Sequence, residues 1–190
     1  MHPPPRAAYR WFAAPLLVLL LAGGNSLPVA AATEGSDDLI ASMLSAGMDG
    51  SAQRWRNAVA RGSLGWALIA LADTAANARY TAGDVSALAA GPAKQKMFAA
   101  GLAGLGRLDA SAAQSSGVDL AGENKWTRAI DRAAAEGRPG EVLVLSAVGM
   151  QTTDWRGVSP QAVFHIVNAL RAVGLGGWAR MVAAEAVTRV

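Results

Sequence analysis

Apolar side chains recur at intervals of three and four residues along most of the chain, the spacing of one face of an α-helix. The clearest case begins at Ser159 and Pro160, a helix cap followed by a suitable first helical residue. Gly174 is placed to end this helix in the left-handed conformation that favours glycine. The pattern therefore predicts a helix over residues 159–174, whose apolar face comprises Val163, Ile166, Val167, Leu170 and Val173.

The same spacing predicts further helices over residues 36–47, 51–62, 63–75, 81–90, 92–107, 120–136, 139–149 and 178–190. Residues 110–117 are serine-rich and are predicted to be a linker. The helix over 63–75 is apolar on more than one face, so we expect it to be sandwiched between others. Three glycines in the 92–107 segment indicate either tight helix contacts or a frayed end. The last helix is expected to bury Trp178, Met181, Val182 and Ala186.

Residues 141–148 allow a second interpretation. Their β-branched content makes a strand the alternative to a helix. The helix is preferred because the corresponding segment of the first half, residues 64–71, has a plainly helical pattern.

The two halves of the chain are weakly alike. Trp55–Val59 precedes a glycine and an apolar helix, and Trp126–Ile130 does the same in the second half. A second echo, between Gly101–Gly106 and Ala169–Gly174, has a similar offset. Offsets that correspond to two helical hairpins are typical of stacked hairpin repeats. The predicted fold is therefore all-α, with antiparallel helical hairpins stacked as a short α-solenoid or, alternatively, packed as an irregular helical bundle.

Residues 1–32 have the pattern of an export signal. Arg6 and Arg10 precede the apolar run Leu16–Ala22, a break follows at Gly23–Asn25, and Ala30–Ala32 supplies the small residues of a cleavage site. We expect cleavage after Ala32 and a periplasmic or secreted location. A retained membrane anchor is the alternative, although the apolar run is about half of the roughly 20 residues that cross a bilayer.

The predicted organisation is a signal peptide over residues 1–32, a flexible N-terminus with a short helix over 33–50, and a helical-hairpin domain over 51–190. No later segment approaches the length of a membrane span, so none is expected after leader removal. The chain contains no cysteine. Packing without disulfides must therefore hold the fold, and a lipid anchor on cysteine is excluded.

The charge of the chain does not favour a nucleic-acid partner. Seventeen Lys and Arg residues against 14 Asp and Glu give a net charge of +3. The predicted leader holds two of the basic residues and no acid, which leaves 15 basic and 14 acidic groups, a net of +1. Nucleic-acid binders normally carry a basic stripe. The densest basic cluster, Arg54, Arg56 and Arg61, is expected to solvate one helix face.

Candidate catalytic residues are few. His165 is the one histidine after the predicted leader, and we predict that it lies on the solvated or interface side of its helix. Together with Asp154 and Ser159 it supplies the residue types of a catalytic triad, but Ser159 is a helix cap and no nucleophile-elbow motif is present. A zinc site would depend on a single histidine plus carboxylates. No catalytic, metal-binding or cofactor-binding residue is assigned, and we expect neither an enzyme nor a cofactor.

The tryptophans carry more information about binding. Trp55, Trp126 and Trp178 lie near helix starts and are expected to anchor the core. Trp155 lies in a loop beside Arg156, and these two residue types are enriched in binding hot spots. The candidate partner contacts are Trp155, Arg156 and His165.

From about Trp126 onward, the chain resembles the C-terminal helical region of exported, alanine-rich alphaproteobacterial proteins of unknown function. The residues that carry this resemblance are Ala134–Glu141, Ala169–Leu175 and Ala183–Ala186. The region also looks like tetratricopeptide-type hairpins, although it departs from their consensus of about 34 residues. The resemblance implies helical hairpins and supplies no catalytic residue.

These features predict an exported, non-catalytic helical-repeat module that binds a protein or peptide of the cell envelope. The first alternative is an envelope hydrolase with an unrecognised active site, for which His165, Asp154 and Glu123 are the residues to test. The second alternative is a homo-oligomer, in which self-association covers an open hairpin face.

Overall fold

The computed structural model describes residues 35–75 and 77–190, so the predicted leader lies outside the described residues. Every regular element in these ranges is helical, which confirms the all-α prediction. The ten α-helices of these ranges are α1 Ser36–Ser45, α2 Asp49–Gln53, α3 Leu64–Ala72, α4 Ala82–Ala87, α5 Pro92–Gly104, α6 Ala110–Ser115, α7 Lys125–Ala135, α8 Pro139–Gly149, α9 Pro160–Ala172 and α10 Gly176–Arg189. A 3₁₀ turn, Trp155–Gly157, precedes α9.

Several helices begin at the caps that the sequence predicts. The Ser63 hydroxyl accepts a hydrogen bond from the Trp66 N–H at 3.1 Å, and the Ser159 hydroxyl accepts one from the Ala162 N–H at 3.1 Å. Each satisfies an N–H that the first turn of a helix leaves unpaired. Proline is the first residue of α5, α8 and α9, where its missing N–H costs nothing. The predicted choice of helix over strand for residues 141–148 is confirmed.

Two predicted segments are wrong. The helix expected over 51–62 is only the short α2, after which the chain turns. Here Gln53 donates to the Ile69 carbonyl at 3.1 Å and Trp55 packs against the cluster that includes Ile40 and Leu68, so contacts with α3 and α1 override the local helical pattern. The linker expected over 110–117 contains α6, because Ala113 is fully buried against the core and outweighs the turn preference of the serines.

The centre of the protein is α5, which packs on α9, α10 and α3. A Cβ at Gly104 would lie 2.8 Å from Val167 of α9, and a Cβ at Gly101 would lie 3.0 Å from Ala183 of α10. The glycines of α5 thus permit close helix approach, the first of the two predicted explanations. Helices distant in sequence meet here, as they do in a helical bundle.

Helices α5, α9 and α10 all contact one another, and two further groups of helices pack on them. In the first group, α1 packs on α2 and α3, and α3 in turn packs on α10 and α5. In the second group, α8 packs on α7 and α9. Helix α3 has Leu71 in the main core and Leu68 and Ile69 in a second cluster with Ile40 of α1, so the prediction that it is sandwiched is confirmed.

Candidate functional site

A mainly apolar groove lies between α1 and α10. Both helices pack on α3, which supplies the floor through Leu68 and Ala72. Ala41 and Leu44 line the α1 wall, and Met181 lines the α10 wall. The groove has a volume of about 370 Å³ and is open to solvent. Its size falls within the range of roughly 300–1,000 Å³ that ligand pockets occupy.

One large apolar side chain that lines the groove is strongly exposed, namely Met181 of α10, at 58 %. Its neighbour Trp178 is equally exposed, and Leu39 of α1 and Met48 before α2 are exposed as well, but these three residues are outside the groove lining. Trp178 and Met181 are three residues apart, so they are neighbours on one helix face. Exposed apolar surface of this extent beside a groove is typical of an interaction site.

The prediction that Trp178 and Met181 belong to the core is wrong. The buried face of α10 comprises Ala179, Ala183, Ala186 and Val187. Small side chains occupy this face because α10 approaches Gly101 of α5 too closely for large ones, as the 3.0 Å distance from Ala183 to a Cβ at Gly101 shows. The large side chains therefore lie on the opposite, outward face.

The charges at the groove are balanced. Asp49 and Glu185 provide two carboxylates, while Arg180 and Arg189 provide two guanidinium groups, and Arg189 pairs with Glu185 one helical turn away. A ligand with strong charge of either sign gains little from such a rim. The lining also includes the hydroxyl side chains of Ser42, Ser45 and Thr188, so the groove suits a ligand face that is mainly apolar and carries no net charge.

The floor of the groove is held in place by Arg107, which is buried. Its guanidinium donates to the carbonyl oxygens of Ala70 and Leu71 at 2.6 and 3.1 Å, and also to the carbonyl of Asp73. These carbonyls lie at the C-terminal end of α3. No further helical turn supplies N–H donors to them, and this end of the helix carries partial negative charge. Burial lowers the pKa of Arg107, while the nearby Asp73 carboxylate opposes that effect.

The Asp73 carboxylate continues this network. It accepts a hydrogen bond from the Ala75 N–H at 2.9 Å and pairs with Arg56 at 2.5 Å. Burial alone would raise the pKa of Asp73, but the hydrogen bonds and the positive charge of Arg56 outweigh it, so the pKa is lowered. The carboxylate is thereby kept ionised.

A second apolar surface lies on α8, which packs on α7 and α9 and makes no contact with the helices of the groove that would cover it. Val144 is 64 % exposed, and Leu143 and Val148 on the same helix are also exposed. Only Val142 and Ser146 of its 11 residues are buried. Helix α3, which has no charged or hydroxyl side chain, buries seven of its nine residues. Helix α8 is less apolar, since it contains Glu141 and Ser146, but it leaves most of its apolar side chains at the surface.

Of the two positions predicted for His165, solvated or at an interface, the solvated one is wrong. The imidazole is buried, and its Nδ1 lies 3.0 Å from Oδ1 of Asp131 on α7. Trp126 and Phe164 contact the ring edge to face. The Nε2 atom is enclosed and has no hydrogen-bond partner among the described residues. A histidine oriented by a carboxylate resembles part of a catalytic dyad, but in this conformation no substrate proton has access to Nε2.

The other two predicted contacts lie apart from His165, in the 3₁₀ turn. Trp155 is half-buried against the main core, and Arg156 is exposed. Asp154 caps the turn by accepting a hydrogen bond from the Arg156 N–H at 2.9 Å. Arg156 and Lys96 border a second, open depression. The three residues therefore do not form one exposed surface, and neither of the two in the turn lines the α1–α10 groove.

The residues proposed for a triad are not brought together. His165 pairs with Asp131, Asp154 caps the 3₁₀ turn, and Ser159 caps α9. Within residues 35–75 and 77–190, no group of three or more His, Asp or Glu side chains is arranged to hold a metal ion. In the same ranges, no helix has both the length and the apolar character needed to cross a bilayer.

The groove is not among the features predicted from the sequence, although part of its signal is present there. Ala179, Ala183 and Ala186 are spaced by four and three residues, a narrow alanine face that could have identified the buried side of α10. The pairing of Asp131 with His165 joins two helices that are not consecutive in the chain, so it has no local signal. No protein-family model, curated protein or solved structure matches this chain.

Proposed function

We propose that the chain is an exported, non-catalytic helical module that binds an apolar helical segment of a polypeptide in the α1–α10 groove. The observation that carries this proposal is the groove itself, an open and mainly apolar channel whose α10 wall presents the exposed side chain of Met181. A soluble protein rarely keeps such a surface unless something binds to it.

The shape and chemistry of the groove favour a helix as the ligand. Two helices form the walls and a third forms the floor, so a fourth helix laid in the groove would complete a four-helix arrangement. Amphipathic helices bind such grooves through anchors spaced three and four residues apart. Met181 presents contact surface on the α10 wall, and methionine adapts its shape to irregular partners.

The location that we propose is the cell envelope. The support is the pattern of residues 1–32, with its basic start, short apolar run and small residues before Thr33. N-terminal sequencing of the protein recovered from the periplasmic or secreted fraction tests this directly. A start at Thr33 is expected, whereas recovery of the intact chain in the membrane fraction contradicts cleavage.

The binding proposal can be tested with a fluorescein-labelled helical peptide, rich in leucine and alanine, whose Lys and Glu residues lie on the opposite face. Titration with the protein should give saturable fluorescence anisotropy. Met181→Glu places a charge in the groove and should weaken binding at least about tenfold. Ala110→Glu, at an exposed site on α6, is the matched control and should bind as the parent does. Equal binding by all three proteins, or none, contradicts the proposal.

A further inference from the structure

The groove contains a cation, Arg180 of α10, that is unpaired within the described part of the chain. Its side chain lines the groove and is half-buried. In residues 35–75 and 77–190, neither a hydrogen bond nor an ion pair joins its guanidinium to another group. The other guanidinium of the lining, that of Arg189, is paired with Glu185. The donors of Arg180 are therefore available to a ligand.

The hydroxyl groups of the groove are already engaged within their own helices. Ser42 donates to the Asp38 carbonyl at 2.7 Å, and Ser45 donates to the Ser42 carbonyl at 3.0 Å. Thr188 donates to the Glu185 carbonyl at 3.0 Å. Their protons are thus committed to α1 and α10, so the polar selectivity of the groove depends mainly on its charged side chains.

The surroundings of Arg180 make its positive charge unfavourable in the unbound protein. Burial lowers the pKa of Arg107, and the nearby positive charge of Arg180 lowers it further, so the two guanidinium groups repel each other. The Asp73 carboxylate, which also acts on Arg107, is already paired with Arg56. Arg180 lies near the N-terminal end of α10, and this end of a helix carries partial positive charge. Natural proteins accept such local conflicts chiefly at functional sites.

We propose that the helix bound in the α1–α10 groove places an acidic side chain, Asp or Glu, against Arg180. A carboxylate at this position neutralises the unpaired charge and can accept two parallel hydrogen bonds from the guanidinium. A basic residue of the ligand against Asp49, on the other side of the groove lining, keeps the contacting face without net charge. Apolar contacts alone allow a helix to shift along a groove, whereas a charge pair fixes its register. This inference rests on the proposed function of the groove as a helix-binding site and specifies the ligand.

A purely structural role for Arg180 predicts a different stability, which thermal unfolding of the protein measures. Arg180→Met removes the charge and keeps an apolar stem. Because this charge is repelled by Arg107, the melting temperature should stay the same or rise. Arg132→Met, at an exposed site on α7, is the control and should leave it unchanged. A fall of more than about 3 °C in Arg180→Met alone would show that Arg180 holds the fold together and would overturn the inference.

The ligand side is tested with the helical probe peptide described above, in which each position of the apolar face is changed in turn to Glu or to its neutral isostere Gln. In anisotropy titrations of the parent protein, one position should favour Glu over Gln by about three- to tenfold. Arg180→Met should abolish this preference, and Arg180→Glu should bind the peptide with Lys at that position best. Arg132→Met should behave as the parent does. A preference for Glu at no position, or one that survives in Arg180→Met, overturns the inference.

The same titrations separate this inference from the proposed function. If the original probe binds in a Met181-dependent way but no position favours Glu, only the present inference fails. If neither the original probe nor any of its Glu variants binds, the proposed function fails as well, and this inference fails with it.

Discussion

Arg107 shows how a single side chain can fix the position of a binding surface from inside the protein. Its guanidinium binds the three carbonyls at the end of α3, and α3 is the floor of the groove. Arginine suits this role because its planar head presents several donors in a fixed geometry and stays charged. A shorter or neutral side chain would leave the carbonyls buried without partners.

We expect Arg107→Ala to lower the free energy of unfolding by about 2–5 kcal/mol, because buried carbonyls lose charged donors and a cavity is left. Arg132→Ala, an exposed site on α7, is the control and should change stability by less than about 0.5 kcal/mol. Urea denaturation followed by circular dichroism measures both. A change in Arg107→Ala as small as that of the control would show that the caps on α3 are dispensable.

The ionisation of Asp73 makes the free energy of unfolding depend on pH. Its pKa in the folded protein is lowered, so its contribution is present above the unfolded value of about 3.9 and is lost as the pH falls through the lower folded pKa. Asp73→Asn should therefore destabilise the protein by about 1 kcal/mol at neutral pH, a modest value because Arg56 is partly exposed. Below about pH 4 the difference from the parent should shrink.

Urea denaturation at a series of pH values between neutral and strongly acidic conditions checks this dependence. Asp109→Asn, at an exposed carboxylate that makes no side-chain cap hydrogen bond, is the matched control. It should stay close to the parent throughout. If the difference in free energy of unfolding between Asp73→Asn and the parent stays constant or widens on acidification, the ionised carboxylate of Asp73 is not the cause of that difference.

At the scale of the element, the close approach of α5 to its neighbours depends on Gly104. We expect Gly104→Ala to lower the free energy of unfolding by about 1–3 kcal/mol, because the added methyl group would lie 2.8 Å from Val167 and 2.9 Å from the Phe164 carbonyl. Gly50→Ala on α2 meets nothing within 4 Å and should be neutral or stabilising by up to about 1 kcal/mol. Thermal unfolding distinguishes the two. Equal melting temperatures would show that α5 can shift to accept the methyl group.

The elements could largely be predicted from sequence, because caps and periodicity act within a few residues. Ser63, Pro139 and Ser159 mark helix starts that the structure confirms. Which face of each helix is buried could not be predicted equally well, since it depends on neighbours that the local pattern does not identify. Helix α8 and the Trp178 side of α10 are apolar enough for a core, yet both are exposed.

At the scale of the whole molecule, the candidate site follows from the order in which the helices pack. Helix α10 follows α9 in sequence and also packs on α3, so the last helix and the first described helix come to share one floor. No local pattern in either helix contains this information. The repeat signal that favours stacked hairpins likewise predicts open apolar ends without identifying which surfaces form them.

The driving force of the proposed binding makes a last prediction. The lining of the groove is mainly apolar, so binding of the original probe peptide should resemble hydrophobic burial rather than charge pairing. Cooling from about 25 to 5 °C should weaken it, and ammonium sulfate should strengthen it. Sodium chloride between about 0.05 and 0.5 M should change it little, because screening acts on exposed charges. Fluorescence anisotropy under these conditions measures each effect, and a steep loss of binding with sodium chloride would instead place the original probe on charged surface.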